Sequence, residues 1–140
     1  MSNKQTKVSI VRGSKNPQEE EMREMVKHAI ELIGGIEDII SRGDSVLIKP
    51  NIGFEIKPGE TEVSDPRVAK AIYDILVGMG AKPIIGEASA AAVDGEAALK
   101  ASGYYALRDQ GYEVVNLKKT KTVTVENPNA KVLKKTKPTN

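Results

Sequence analysis

The chain has 140 residues, of which 39% are hydrophobic and 29% charged, and its formal net charge is +2; these values are typical of one soluble globular domain. It contains no cysteine, which excludes disulfides, thiolate-ligated zinc, iron–sulfur ligation and thiol nucleophiles within this chain. Aromatic residues are scarce, no apolar run could span a bilayer and the N-terminus is polar, so we expect a cytoplasmic protein without a membrane span or a stacking platform for single-stranded nucleic acid.

The first predicted elements are a strand and an amphipathic helix. The strand is Lys7 to Arg12, with apolar residues at positions 8, 10 and 11. Asn16-Pro17 is expected to open the helix, because an amide caps well and proline suits the first helical position. Apolar residues then recur at helical spacing as far as Ile33, and Gly34-Gly35 ends the helix.

Strands and helices continue to alternate along the chain. Further strands are predicted at 44–49, 82–87 and 112–117, and further helices at 66–79 and 94–102 with a short continuation at 104–110. Either Ser64 or Asp65 caps the second helix, and Pro66 follows in its first turn. The segment from Ile52 to Ser64 is interpreted as a long loop, and loops of this length are usually functional or disordered.

The C-terminal part, residues 118–137, is predicted to be a basic β-hairpin. Residues 120–126 and 131–136 alternate like strands, and four turn-forming residues separate them. Residues 118–140 carry seven lysines against the single acidic residue Glu126. We interpret these lysines as a solvated edge that discourages sheet-to-sheet pairing, and a nucleic-acid arm is the alternative.

The alternation over residues 7–117 predicts the α/β class. We expect a three-layer, Rossmann-like, mostly parallel sheet with helices on both faces and a C-terminal antiparallel hairpin. Residues 1–140 are expected to form a single domain. The order of strands within the sheet stays open.

Three strand ends converge on one edge of this predicted sheet. The carboxyl ends of parallel strands and the helix N-termini that follow them favour anions. Lys49 supplies a point charge, Asn51 a donor and an acceptor, and Glu87 a candidate catalytic base. We therefore predict a site for an anionic small molecule, a phosphate or a carboxylate, without a metal. The predicted ligand-binding residues are Arg12, Ser14, Lys49, Asn51, Gly53, Gly86 and Ser89.

Simpler interpretations of the same residues stay open. Glycines at strand ends often serve turn geometry, and neither a dinucleotide fingerprint nor a phosphate-loop motif follows any strand. Lys49 could be solvated beyond its strand, and Glu87 could brace a neighbouring helix. His28, the only histidine, lies beside the apolar stripe of the first helix, where a structural role is expected.

Four motifs in order carry a resemblance to a known family. These motifs are VLIKPN, SDPRVAKAI, GAKPIIGEAS and SGYYALRDQGYEVVNL. Together they resemble the N-terminal portion of the domain-of-unknown-function 362 family, and the likeness covers nearly all of residues 7–135. It implies an α/β enzyme or binding protein, and it places the family's strand-end lysine and asparagine at Lys49 and Asn51 and its Gly-Glu pair at Gly86-Glu87.

The resemblance also implies features that this chain lacks. Family members continue into a second half with further lysine and histidine motifs, and some carry ferredoxin-type iron–sulfur segments. The chain could be an N-terminal lobe of a longer protein or a short relative, so a cofactor or an enzymatic activity is not assigned.

Two functions follow as hypotheses. The first is an anion-binding lobe of a redox-linked enzyme, which pairs with a second lobe or another copy. The second is a non-catalytic scaffold or interaction module that uses the basic hairpin.

Overall fold

The structure is a computed structural model that describes residues 6–58, 60, 63–132 and 134–136. Within this part of the chain, four α-helices and three short strands come first, with the third and fourth helices adjacent in the chain, and a hairpin follows them. The elements are α1 (Glu19–Ile33), β1 (Ser45–Ile48), α2 (Pro66–Gly78), β2 (Lys82–Glu87), α3 (Gly95–Ala101), α4 (Tyr104–Asp109), β3 (Val114–Asn116), a 3-10 turn (Leu117–Lys119), β4 (Val125–Glu126) and β5 (Lys135–Thr136).

Strands β1, β2 and β3 form a parallel sheet in that order. Ile48 pairs with Ile85, and Ile85 pairs with Val114 on its other side. Strands β4 and β5 form a separate antiparallel pair with Val125 opposite Thr136. The predicted α/β class, parallel sheet and C-terminal antiparallel hairpin are therefore confirmed. The hairpin strands are shorter than predicted, and residues 133 and 137 of the predicted hairpin lie outside the described residues.

The predicted first strand, residues 7–12, is wrong. The segment contains no strand, and the side chains of Val8 and Ile10 are 82% and 81% exposed. Ser9, between them, lines a groove formed by α1 and α2. Alternating apolar residues form a strand only where a neighbouring strand pairs with them and buries one face, and no such pairing is made by the described residues.

The start of α1 also differs from the prediction, whereas the start of α2 agrees with it. Helix α1 begins at Glu19, and its N-cap Gln18 makes no capping side-chain hydrogen bond. At α2, Asp65 is the N-cap, Pro66 follows at the first position, and the Asp65 side chain accepts a hydrogen bond from the Arg67 backbone. Hydrogen bonds from the Arg67 side chain hold the pKa of Asp65 below its ordinary value.

The buried core lies on one face of the parallel sheet. Ile85 and Val114 project from that face into residues of α2, α3, α4 and the loop after β1. On the other face, Gly86 lies beneath apolar side chains, since a Cβ there would be 3.0 Å from Leu47 Cδ1. Leu47 itself is 53% exposed. The core residues outside the strands are Ile52, Ala69, Ala98, Leu99, Tyr104 and Leu107.

This one-sided packing differs from the predicted arrangement of helices on both faces. Among the described residues, α2, α3 and α4 share the core face, and α1 packs on α2. The sheet order explains it: right-handed crossovers that always advance in the same direction place every helix on the same side. A change of direction, which places helices on the second face, does not occur within β1-β2-β3.

Candidate functional site

The central pair of the site is Lys49 and Glu87. Lys49 directly follows β1, and Glu87 is the last residue of the adjacent strand β2. The ammonium of Lys49 donates a hydrogen bond to Glu87 Oε2. The Lys49 side chain is 59% exposed, whereas that of Glu87 is 9% exposed. A buried carboxylate therefore holds a cation at the surface, at the carboxyl ends of two neighbouring parallel strands.

The second oxygen of Glu87 is also engaged. Its Oε1 accepts a hydrogen bond of 2.7 Å from the backbone N–H of Ala88. Both carboxylate oxygens are thus bound, which fixes the side chain and with it the position of Lys49. An ammonium has three N–H donors, and Glu87 takes one of them. The arrangement suits a cation that a fixed carboxylate orients towards a ligand.

Ser89 has two unusual features. It is the one non-glycine residue with positive φ, 45°, among the described residues. In the same part of the chain, its Oγ is the one buried side-chain polar atom with no hydrogen-bond partner. Each feature costs free energy, and such features concentrate at functional sites. Their coincidence two residues after Glu87 marks Ser89 as a candidate ligand contact.

The loops after β1 and β2 are joined to each other. The backbone N–H of Ala90 donates to the carbonyl oxygen of Gly53 at 3.0 Å. Gly53 therefore links the two loops through its backbone carbonyl oxygen. Nothing lies within 4 Å of where its Cβ would be. The structure brings Lys49, Gly53, Glu87 and Ser89 into one pair of connected loops.

Asn51 begins the loop after β1, and that loop is anchored in the core. The Asn51 N–H donates to Ser64 Oγ at 3.0 Å, and the Ser64 N–H donates to the Asn51 carbonyl at 3.1 Å. The buried Tyr104 hydroxyl donates to the Ser64 carbonyl at 3.0 Å. Burial raises the pKa of that hydroxyl, which keeps it a donor. A cavity of about 140 Å³ lies here, between Lys49, Pro50, Ser64 and Tyr104 on one side and α2 on the other.

Three of the predicted ligand-binding residues, Ser14, Arg12 and Gly86, lie in surroundings that differ from those of the Lys49–Glu87 pair. Ser14 is bound to α1, since its N–H and its hydroxyl donate to the Glu21 carboxylate at 2.6 and 2.7 Å. These hydrogen bonds hold the pKa of Glu21 below its ordinary value. Arg12 is exposed in the segment that forms no strand. Gly86 lies under apolar side chains on the face of the sheet opposite the core.

Lys118, which is predicted from the sequence to belong to the basic hairpin, contacts the loop beside the candidate site. It lies in the 3-10 turn after β3, and its ammonium reaches the loop after β2. There it donates to the carbonyl oxygens of Ala90 and Val93 at 2.5 and 2.7 Å. No local sequence signal separates this lysine from the other lysines near it, because its partners lie 25 or more positions away in the chain.

The described residues contain neither a metal-binding cluster nor a membrane-spanning helix. No group of three or more His, Asp or Glu side chains among them could hold a metal ion. None of the described helices is both long and apolar enough to cross a membrane.

Comparison with known proteins identifies the family. Residues 46–139 match the family described as a domain of unknown function, DUF362. The thylakoid-associated protein sll1697 of Synechocystis sp. (strain ATCC 27184 / PCC 6803 / Kazusa) is 33% identical over 61 residues, which are 44% of this chain and 19% of that protein. The match therefore spans about a fifth of the relative's length. No solved structure matches the chain. Because the family match covers most of the chain, from β1 to the hairpin, the protein belongs to the DUF362 family.

Proposed function

We propose that this chain is an anion-binding lobe of a DUF362 protein, with its site at the carboxyl ends of β1 and β2. The observation that carries the proposal is the Lys49–Glu87 pair, in which a buried carboxylate orients a surface cation. The carboxyl edge of a parallel sheet is where α/β proteins bind ligands. An ammonium at this edge favours a phosphate or a carboxylate.

Neighbouring groups complete the proposed site. The Ser89 hydroxyl, which is buried and without a partner, supplies a hydrogen bond to the anion. The Asn51 side chain contributes a further polar contact. Glu87 holds Lys49 in place towards the ligand, and its carboxylate is also the candidate base that accepts a proton from the ligand. This second role keeps Glu87 as the candidate catalytic residue.

The resemblance to the family suggests a larger enzyme of which this lobe would be one part. Some family members resemble redox proteins in carrying iron–sulfur segments, and this chain has no cysteine to ligate a cluster. We therefore propose that a second lobe or another chain supplies any redox centre. A cytoplasmic location stays a prediction.

Calorimetric titration against phosphates, nucleotides, coenzyme A esters and carboxylates tests anion binding. Lys49→Gln keeps an N–H donor for Glu87 and removes the charge. Lys82→Gln is the matched control, because Lys82 is an exposed lysine at the opposite end of β2. We expect the wild type and Lys82→Gln to bind one of these anions and Lys49→Gln to lose binding. Equal affinity in all three proteins would contradict the proposed site.

An interaction module that uses the hairpin is the second candidate. The observation in its favour is the exposure of Val125 and Val132, 54% and 86%, beside the hairpin lysines. Exposed apolar side chains among lysines suit a protein partner with an acidic surface. Under this alternative, substitutions at Lys134 and Lys135 would weaken partner binding, while Lys49→Gln would leave it unchanged. Nucleic-acid binding would instead show a steep dependence on salt concentration.

A further inference from the structure

We propose that Lys118 is a positioning residue for the anion site. Lys118 holds the β2–α3 loop, residues 88–94, in the conformation that presents Ser89 to the ligand. The ligand part of this inference rests on the proposed function. The positioning part concerns the unliganded protein and stands on the contacts of Lys118 alone.

The ammonium of Lys118 is surrounded by carbonyl oxygens of one loop. Its distances are 2.5 Å to Ala90, 2.7 Å to Val93 and 3.4 Å to Ala91. Three acceptors thus face the three N–H donors of one ammonium. Carbonyl groups that converge in this way repel one another, and a cation between them stabilises the arrangement. The loop conformation therefore depends on Lys118.

Lys118 is itself held in place by the end of β3. Its backbone N–H donates to Asn116 Oδ1 at 3.0 Å. Asn116 is buried and pairs with Glu87 across the sheet. Its side chain also lies against the start of α3, where a Cβ on Gly95 would be 2.7 Å from Asn116 Nδ2. The lysine thus links the end of β3 to the loop that begins after β2.

The contacts on both sides of Ser89 explain how the loop keeps its strained conformation. Before it, the Ala88 N–H is bound to Glu87 Oε1. After it, Ala90 is held twice, since its N–H donates to the Gly53 carbonyl and its own carbonyl accepts from Lys118. A left-handed φ in a serine persists only where the surroundings impose it. Removing Lys118 removes one of these constraints.

Amide hydrogen exchange on the unliganded protein tests the positioning role. Lys118→Met keeps the aliphatic stem and removes the donors, and Lys121→Met, at an exposed lysine nearby, is the matched control. We expect exchange in residues 88–94 to rise at least tenfold in Lys118→Met and to stay unchanged in the control and in β2. Unchanged exchange in the loop would overturn the proposal. Lys118→Gln, which keeps two N–H donors but loses the charge, replaces Lys118→Met if that variant does not fold.

Substitution at Ser89 gives an independent readout. Glycine adopts positive φ without strain, so the loop of Ser89→Gly needs less support from Lys118. The increase in exchange caused by Lys118→Met should therefore be smaller in a Ser89→Gly background than in the wild type. An equal increase in both backgrounds would show that Lys118 does not act on Ser89.

Inorganic phosphate is the probe for the ligand part. Weaker phosphate binding in Lys118→Met than in Lys121→Met, with the Lys49–Glu87 pair intact, supports positioning of the anion site. Equal phosphate affinity would overturn that part. If the wild type binds no phosphate and exchange in the loop still rises in Lys118→Met, the proposed anion site fails and the positioning of the loop by Lys118 stands.

Discussion

Lys49 and Glu87 form an ion pair across the carboxyl ends of two adjacent parallel strands, with the cation mostly exposed and the carboxylate buried. The pair lies 38 positions apart in the chain and is made possible by the parallel pairing of β1 with β2. It joins the two loops from which the candidate site is built.

Removing Lys49 should destabilise the fold. Lys49→Met leaves the Glu87 carboxylate buried with the Ala88 N–H as its one remaining hydrogen-bond partner among the described residues, and we expect a loss of about 1–2 kcal/mol in the free energy of unfolding. The double variant Lys49→Met/Glu87→Gln should recover part of that loss, because no buried charge is left. Urea unfolding of Lys49→Met, Glu87→Gln and the double variant measures the coupling between the two side chains. Strictly additive effects would show that the pair is energetically unimportant.

Gly86→Ala should lower stability and leave anion affinity unchanged. A Cβ at this position would lie 3.0 Å from Leu117 Cδ2 and 3.1 Å from Val115 Cγ2. Displacing these side chains should cost about 1 kcal/mol. Gly53→Ala, where the Cβ meets open space, is the control. Loss of anion binding in Gly86→Ala, without loss of stability, would instead support the ligand-binding role predicted from the sequence.

Tyr104→Phe should loosen the loop that follows β1. The variant removes the hydrogen bond to the Ser64 carbonyl and should cost about 1 kcal/mol. Tyr73→Phe is the control, since the contact described for Tyr73 is between its ring and that of Tyr112. Thermal unfolding of both variants checks the prediction, and equal stability would contradict it.

Glu96 should make stability depend on acidic pH. The Tyr105 hydroxyl and then the Arg108 guanidinium lower the pKa of Glu96 from 4.5 to about 2. Because the folded-state pKa is the lower one, this contribution is fully present above about pH 4.5 and is lost as the pH falls towards 2. We expect Glu96→Gln to be less stable than the wild type at pH 7 by about 1 kcal/mol. The difference should shrink between pH 5 and pH 2 in thermal unfolding, and a constant difference would exclude Glu96 as its source.

Local signals in the sequence account for most of the elements. Asp65-Pro66 predicts the start of α2 correctly, because capping and the fixed φ of proline act within a few residues. The strands at β1, β2 and β3 are also predicted, since each is a short apolar run between turn residues. By contrast, residues 7–12 have the same local pattern and form no strand, because a strand requires a partner that local pattern does not supply.

The candidate site is predicted only in part for the same reason. Lys49 and Glu87 could be named as candidates from the sequence because each ends a predicted strand, whereas the pairing of those two strands could not be predicted. Ser14 is predicted to contact the ligand, and in the structure its hydroxyl donates to the Glu21 carboxylate. Whether Ser14 faces a ligand or Glu21 is decided by how its segment packs on α1, which the local sequence does not show. Lys118 could not be found, since its carbonyl partners become acceptors for one cation only when the loop is folded.

Titration of the isotope-labelled protein with inorganic phosphate, followed by backbone amide chemical shifts, is the most direct test of the anion site. Phosphate should shift the amides of residues 49–53 and 87–90, and Lys49→Gln should abolish these shifts while Lys82→Gln preserves them. Shifts confined to the hairpin, or none up to millimolar phosphate in a folded protein, would contradict an anion site at the ends of β1 and β2.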